Sequence, residues 1–361
     1  MKIRVIGQRN ILGAGVHYAG FVDAIMRLTK MAKFIDEVDV YNPEIISRCI
    51  KDSSSYDVNI YFFRTDIIGQ IKGYNILWAI FESTKVPDSL LSILKSKADL
   101  IWVPSKWGRD VLLQHGLSSE IVDVVPEGVD IWQYHPYRRS LVVNDRPFRF
   151  LTVGKFEGRK SYEELLEAFA MTCRNNKDVE LVIKADYFLR HEEKKQEFST
   201  LLSHYACNNI RVYWGAWSNE MMFDLYNWCH AFVFPSKGEG WGLPLIEAAA
   251  CGLPLITTYY SGQTEYLSHI RSSIVELEHQ MGPIDDNDYA GYYHDVDEDY
   301  GHWALPNIHK LAEAMMSVKD LYAEYAKKSI EASEIIRIKY SWDNAVVFAM
   351  KSLLSNNLLN E

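Results

Sequence analysis

The sequence has few cysteines and no pattern among them. Cys49, Cys173, Cys207, Cys229 and Cys251 form no C-x-x-C pair. An odd, scattered set excludes a disulfide framework and a thiolate zinc site, and it fits the reduced thiols of a cytoplasmic protein. Long apolar runs are also missing. A membrane span needs roughly 18–20 apolar residues, and the nearest candidate, 243–260, is broken by Glu247, Gly252 and Pro254. The N-terminus, Lys2-Ile3-Arg4-Val5-Ile6, reads as a buried strand and lacks a signal peptide's apolar stretch. No basic amphipathic helix stands out, so any membrane contact is expected to be weak and peripheral. Basic charge is scarce as well, with 38 Lys+Arg against 48 Asp+Glu and a net charge of −10. Up to Asp145 the count is 17 against 17, leaving 21 basic and 31 acidic residues for the remainder. Nucleic acid is therefore excluded as the main partner, because phosphate binding needs clustered basic charge.

The 361 residues are 48% hydrophobic and 13% aromatic, which excludes a disordered chain. Domains divide beyond roughly 250–300 residues, so two are expected. Short apolar runs alternate with amphipathic stretches throughout, the pattern of an α/β fold with parallel sheets. In the first half the spacing predicts strands at 2–6, 38–41, 58–63, 76–80, 100–103 and 121–125. Helices fall at 20–33, 87–97 and 106–115, the last with Ser105 as N-cap and Gly116 just past its end. Residues 134–147 break the rhythm with two prolines and a charge cluster. They read as a linker between an N-terminal domain, 1–140, and a C-terminal domain, 147–340. The second half restarts with strands at 148–153, 181–184, 211–214, 230–235 and 255–258. Ser161 and Glu164 form a capping-box pattern, a helix follows Ser218, and another runs over 243–251. The acidic, aromatic-rich stretch 285–303 reads as a surface loop, followed by helical patterns at 310–339 and 342–354.

The most informative segment is Pro235-Ser236-Lys237-Gly238-Glu239-Gly240-Trp241-Gly242-Leu243-Pro244-Leu245-Ile246-Glu247. A strand ends, glycines let the backbone approach a ligand, and a helix starts with Pro244 near its first position. The unpaired amides of Gly240, Trp241, Gly242 and Leu243 at that helix start suit a phosphate. Glu239 and Glu247, with seven residues between them, suit the hydroxyls of ribose and hexose. Gly154-Lys155-Phe156-Glu157-Gly158-Arg159-Lys160 also follows a strand, placing Lys155 and Lys160 at the carboxyl edge of the sheet, where open α/β sheets bind ligands. Each loop alone is an ordinary turn; the two together in an acidic half point to a diphosphate.

The E-x7-E pattern within EGWGLPLIEAAACG resembles the signature of retaining glycosyltransferase family 4, the group 1 transferases of the GT-B fold. VGKFEGRKSYEELLEAF resembles the family's phosphate-loop segment, and VPSKWGRDVL with VVPEGVD its domain junction. GAGVHYAGF is similar to its N-terminal Gly-rich loop, and HWALPNIHKLAEAM to its late helical segment. The resemblance implies two Rossmann-like domains facing each other across a cleft, with the last helix, about 342–361, packing back on the first domain. It implies a nucleotide-sugar donor, GDP- or UDP-linked, whose hexose moves with retention and without a metal or other cofactor. The acceptor is a hydroxyl of a glycan, lipid-linked or protein-linked molecule. Glu247 would hold the ribose, Glu239 the donor sugar, and Lys155 and Lys160 the diphosphate. The family usually carries Arg where Lys155 stands, and often His or Asn where Glu127 stands.

Gly13-Ala14-Gly15 begins a dinucleotide fingerprint that fails at Tyr18, where the third glycine belongs. That failure counts against an NAD-dependent dehydrogenase. The resemblance instead places Gly15 near the donor phosphates and His17 and Tyr18 beside the acceptor. Glu82, after the 76–80 strand, is positioned to orient an acceptor hydroxyl. Asp295-Val296-Asp297-Glu298-Asp299 holds two overlapping D-x-D triplets but no preceding strand, so it reads as a solvated loop. His294, His302 and His309 are too irregular for a zinc set. A sugar-nucleotide epimerase on the same fold, or a non-catalytic sugar-nucleotide-binding protein, remains an alternative to transfer.

Overall fold

The computed structural model describes residues 1–9, 13–32, 37–41, 57–143, 146–186, 191–293 and 298–359. The chain divides into two units. The first comprises Met1–Asp130 with Lys339–Glu361, and the second Ile131–Ile338.

The first unit is built on β1 (Lys2–Ile6), β2 (Glu37–Tyr41), β3 (Val58–Phe62), β4 (Tyr74–Trp78), β5 (Leu100–Val103) and β6 (Val122–Val124). These form one parallel sheet in the order β2-β1-β3-β4-β5-β6. Parallel strands need cover on both faces, which explains the unbroken burial of Val58–Phe62 and Leu100–Val103. The helix Gly13–Ala32 starts seven residues earlier than its periodicity suggested, so Gly13, Ala14 and Gly15 form its first turn and not a separate loop. Ser105 caps the helix Lys106–Gln114 by accepting from the Gly108 amide, and Gly116 takes φ +81° beyond it. The helix Trp342–Ser355 belongs to this unit. Its Ser352 hydroxyl accepts from Trp102 Nε1 at 2.8 Å and donates to Asp123 at 2.5 Å.

The second unit carries β7 (Phe148–Lys155), β8 (Val179–Asp186), β9 (Ile210–Trp214), β10 (Ala231–Phe234), β11 (Leu255–Thr258) and β12 (Ile274–Leu277). Their order is β12-β11-β10-β7-β8-β9, all parallel. Counted from β7 this is the doubly wound 6-5-4-1-2-3 arrangement, whose strand order reverses between β7 and β10. Ligand crevices in such sheets open at that reversal, outside the carboxyl ends of the strands.

Three expectations need correction here. Residues 134–147 are not a free linker, because the described part docks on the second unit. Tyr134 is buried, and Arg139 donates to the carbonyls of Tyr226 (2.8 Å), Cys229 (2.6 Å) and Cys251 (3.4 Å), the ends of two helices. The capping box at Ser161 does not form. Ser161 is left-handed (φ 56°) after the tight turn Gly158–Lys160 and makes no cap bond, while Glu164 pairs with Lys237 at 2.7 Å. The stretch 285–303 is not all loop. It contains the helix Asn287–Tyr293 and enters β14 (His302–Pro306), which pairs antiparallel with β13 (His279–Pro283). Asp295, Asp297, His294 and Cys49 lie outside the described residues. No helix among the described residues is long and apolar enough to cross a membrane.

Candidate active site

Both loops singled out by sequence lie at the strand-order reversal of the second unit. Lys155 ends β7 and Lys160 closes the turn after it, while Glu239 lies five residues beyond the end of β10. The turn swings Lys160 across to the neighbouring loop, where its ammonium meets Glu239 Oε1 at 2.5 Å. Arg159 reaches the same oxygen at 2.9 Å and donates to the Gly238 carbonyl at 2.6 Å. The Ser236 hydroxyl is a third donor to Oε1, at 2.5 Å. Among the described residues every side-chain partner of Glu239 is on Oε1, which leaves Oε2 as the oxygen open to a ligand.

Glu239 is only 5% exposed. Burial alone would push its carboxyl up. The Arg159 and Lys160 charges, with the Lys160 and Ser236 hydrogen bonds, outweigh it and hold the group at about 2. Burial pushes the Lys160 ammonium below its ordinary value, and Glu239 opposes that only in part. Glu157 sits between Arg159 (3.2 Å) and Lys155 (3.4 Å), whose charges keep it ionised against its own burial. Three cations, Lys155, Arg159 and Lys160, thus face two carboxylates, Glu157 and Glu239. The cluster carries one net positive charge.

Beside it starts the helix Leu243–Ala250. Its N-cap is Gly242, at φ 92°, and no side chain caps it. A left-handed residue there turns the chain from loop to helix, a conformation that favours glycine. The Tyr266 hydroxyl donates to the Gly242 carbonyl at 3.1 Å. The Gly240 and Glu239 carbonyls are braced by Gly262. The Gly262 amide donates to Glu239 O at 2.8 Å, and a Cβ on Gly262 would lie 1.9 Å from Gly240 O. Trp241 is buried in the same loop, edge-on to Tyr266 at 5.0 Å. One turn into the helix, Glu247 Oε2 accepts from the Tyr226 hydroxyl at 2.8 Å. Burial and the adjacent Glu247 hold that phenol well above its usual value, so it stays a donor.

The structure therefore brings Lys155, Lys160, Glu239, Gly240, Trp241, Gly242, Leu243 and Glu247 to one edge of one unit. Arg159, Ser236 and Tyr226 join them without having been singled out by sequence. The remaining candidates belong to the first unit. Gly15 lies in the first turn of Gly13–Ala32. His17 is fully buried among Phe62, Phe63, Trp78 and Trp342, with Nδ1 3.6 Å from the buried Glu127. Burial holds this imidazole well below its usual value, and so neutral. Tyr18 is 2% exposed and packs on Phe62. Glu82 is half-buried in the loop after β4. Among the described residues no three His, Cys, Asp or Glu side chains are grouped to hold a metal ion.

Residues 134–276 match the family model of the glycosyl transferases group 1. The matched segment lies wholly in the second unit and contains every residue of the Glu239 cluster. Among curated relatives, the serotype-specific mannosyltransferase WbdA of Escherichia coli is 36% identical over 108 residues, covering 30% of this chain and 13% of that protein. D-inositol 3-phosphate glycosyltransferase of Pseudarthrobacter chlorophenolicus is 23% identical over 190 residues, covering 51% and 44%. The chain thus spans less than half the length of these relatives. Among solved structures, HepE of Anabaena, in complex with UDP and glucose, superposes with a TM-score of 0.71 at 14% identity, covering 98% of this chain and 100% of that one. Sucrose-phosphate synthase of Thermosynechococcus elongatus gives 0.70 at 14%, covering 99% and 98%. The fold of this chain is GT-B.

Proposed function

We propose that the protein is a retaining glycosyltransferase that moves a hexose from a nucleoside diphosphate sugar to a hydroxyl of a glycan, lipid-linked or protein-linked acceptor, without a metal. The observation that carries this reading is Glu239: a buried carboxylate kept ionised by three donors on Oε1, with Oε2 left to accept hydroxyls of a sugar. The donor diphosphate lies at the uncapped start of Leu243–Ala250, facing Lys155 and the net positive charge of the cluster. Glu247, steadied by Tyr226, accepts the ribose hydroxyls. As the bond from the anomeric carbon to the diphosphate oxygen breaks, the leaving group's growing charge is met by cations and amides already in place. The acceptor oxygen bonds to the anomeric carbon from the same face, and its proton passes to the departing phosphate. A protein nucleophile is not required: Glu239 is committed to the cluster, and two-carboxylate retention needs groups about 5–5.5 Å apart around the reacting carbon. WbdA's name as a mannosyltransferase and HepE's complex with UDP and glucose agree with this donor class.

Nucleoside diphosphate release from a panel of donors, with oligosaccharide acceptors and excess EDTA, tests the reading. Expected is release with one donor series and an unchanged anomeric configuration in the product by proton NMR. An inverted product, or release abolished by EDTA, contradicts it. Epimerisation of the donor sugar with no acceptor product would favour the epimerase instead. Glu247→Ala is expected to weaken nucleoside diphosphate binding by about 1.5–3 kcal/mol, the scale of a hydrogen bond to a charged group. Unchanged affinity by calorimetry would remove the ribose assignment.

A further inference from the structure

Lys184 is a buried lysine that the mechanism above does not use. It lies at the carboxyl end of β8, beside Val153 of β7 and Tyr213 of β9. Its side chain is 8% exposed, and its one recorded charge partner among the described residues is Asp186 Oδ2 at 3.9 Å, beyond hydrogen-bond distance. An ammonium has three donors and no acceptor, and a buried charge is costly unless its donors are met. Among the described residues the Lys184 ammonium makes no hydrogen bond, and burial holds it below the ordinary lysine value.

Its face of the sheet is fixed by register. Arg149, Glu180 and Arg211 pair across β7, β8 and β9 at 3.4 and 2.9 Å, and both guanidiniums cover the Trp228 ring, at 4.1 and 5.5 Å. Side chains alternate along a strand, so Lys184 and Asp186, four and six residues past Glu180, share that face. Lys155, six past Arg149, and Tyr213, two past Arg211, share it too. The opposite face holds Leu181, Ile183 and Ala185 in the apolar core. Lys184 thus lies at the carboxyl edge beside Lys155, two strand spacings, roughly 10 Å, from β10 and the Glu239 loop. With a diphosphate at β10 and β7, the strands left for the rest of the nucleotide on this side of the sheet are β8 and β9. Trp217, half-exposed and 4.9 Å from Tyr213, offers an aromatic face there.

Resting on the nucleotide-sugar reading, we infer that Lys184 and Asp186 read the base of the donor and select an oxo base, guanine or uracil, over an amino base. The Lys184 ammonium donates to guanine O6 or uracil O4, and the Asp186 carboxylate accepts from the adjacent ring N–H. Adenine and cytosine reverse both partners. They present an amino donor to the ammonium and a ring-nitrogen acceptor to the carboxylate. A site whose buried polar groups are left unpaired by the wrong ligand discriminates strongly.

The test is calorimetric binding of GDP, UDP, ADP and CDP to the full chain and to Lys184→Met and Lys184→Gln. Expected is at least about tenfold tighter binding of GDP or UDP than of ADP and CDP. Lys184→Met should erase that preference by weakening the oxo-base nucleotide, and the glutamine variant, which both donates and accepts, should relax it. Thermal unfolding of Lys184→Met should be unchanged or raised, since a poorly paired buried charge is removed. GDP against UDP then identifies which oxo base is used. Equal losses for all four nucleotides in Lys184→Met would place the ammonium on the phosphates and overturn the inference alone. So would ADP or CDP binding to wild type as tightly as GDP and UDP. No binding of any of the four to wild type would overturn the nucleotide-sugar reading, and this inference with it.

Discussion

Glu239→Gln is expected to lower sugar transfer roughly 10²–10³-fold, the scale seen when one preorganised charged contact is lost. If the amide oxygen keeps the three donors of Lys160, Arg159 and Ser236, the amide nitrogen replaces Oε2 and presents a donor where an acceptor is needed. The substitution also leaves two buried cations with one carboxylate fewer. Breaking a buried pair costs about 3–5 kcal/mol. With part of the hydrogen bonding kept, a loss near 3 kcal/mol corresponds to a Tm lower by roughly 6–12 °C for a unit of this size. Glu247 and its helix are untouched, so nucleoside diphosphate affinity should change by only a few fold. Loss of that affinity in parallel with activity would make Glu239 a structural residue. Acid stability gives a second readout. The folded carboxyl is held at about 2, against 4.5 for the ordinary group. The unfolded chain therefore binds this proton first as pH falls. The stabilisation is complete above about 4.5 and is lost between there and about 2, and the glutamine variant should lack this component.

Gly262→Ala is expected to damage the same loop from behind. The new Cβ would meet Gly240 O at 1.9 Å and Glu239 O at 2.8 Å, both backbone atoms of the ligand loop. Backbone cannot rotate away as a flexible side chain does. The cost should reach the upper end of overpacking penalties, about 3 kcal/mol or more. Both thermal stability and nucleotide binding should fall, because the strained segment runs directly into the Leu243 helix. An alanine variant with wild-type Tm and affinity would show that the Gly262 turn does not brace this loop.

Much of the fold was readable because its signals are periodic. The strands Leu100–Val103 and Leu255–Thr258 have the bounds their apolar runs suggest, and Ser105 and Ser218 cap the helices expected after them. Errors fell where local chemistry has two uses. Ser161 and Glu164 have capping-box spacing, but the turn before them sets Ser161 left-handed and Lys237 claims Glu164. Gly13 and Gly15 read as the start of a dinucleotide fingerprint but occupy the first turn of a helix. In the site, residue types were legible and directions were not. Arg159 lies in the same basic turn as Lys155 and Lys160, but an irregular turn has no period to say which side chain points inward. Arg159 is 7% exposed and holds Glu239, whereas the Lys155 side chain is 33% exposed at the edge. Ser236 and Tyr226 were equally hidden, since a serine before a Gly-rich loop and a tyrosine on a helix look like ordinary residues until the contacts exist.

Calorimetric titration of the wild-type chain with GDP, UDP, ADP and their common sugar conjugates, each with and without EDTA, tests the central claim most directly. The account predicts that one nucleotide series binds and that EDTA leaves its affinity unchanged, because cations and helix amides of the protein itself hold the diphosphate. Binding by none of them, or binding abolished by EDTA, would contradict it.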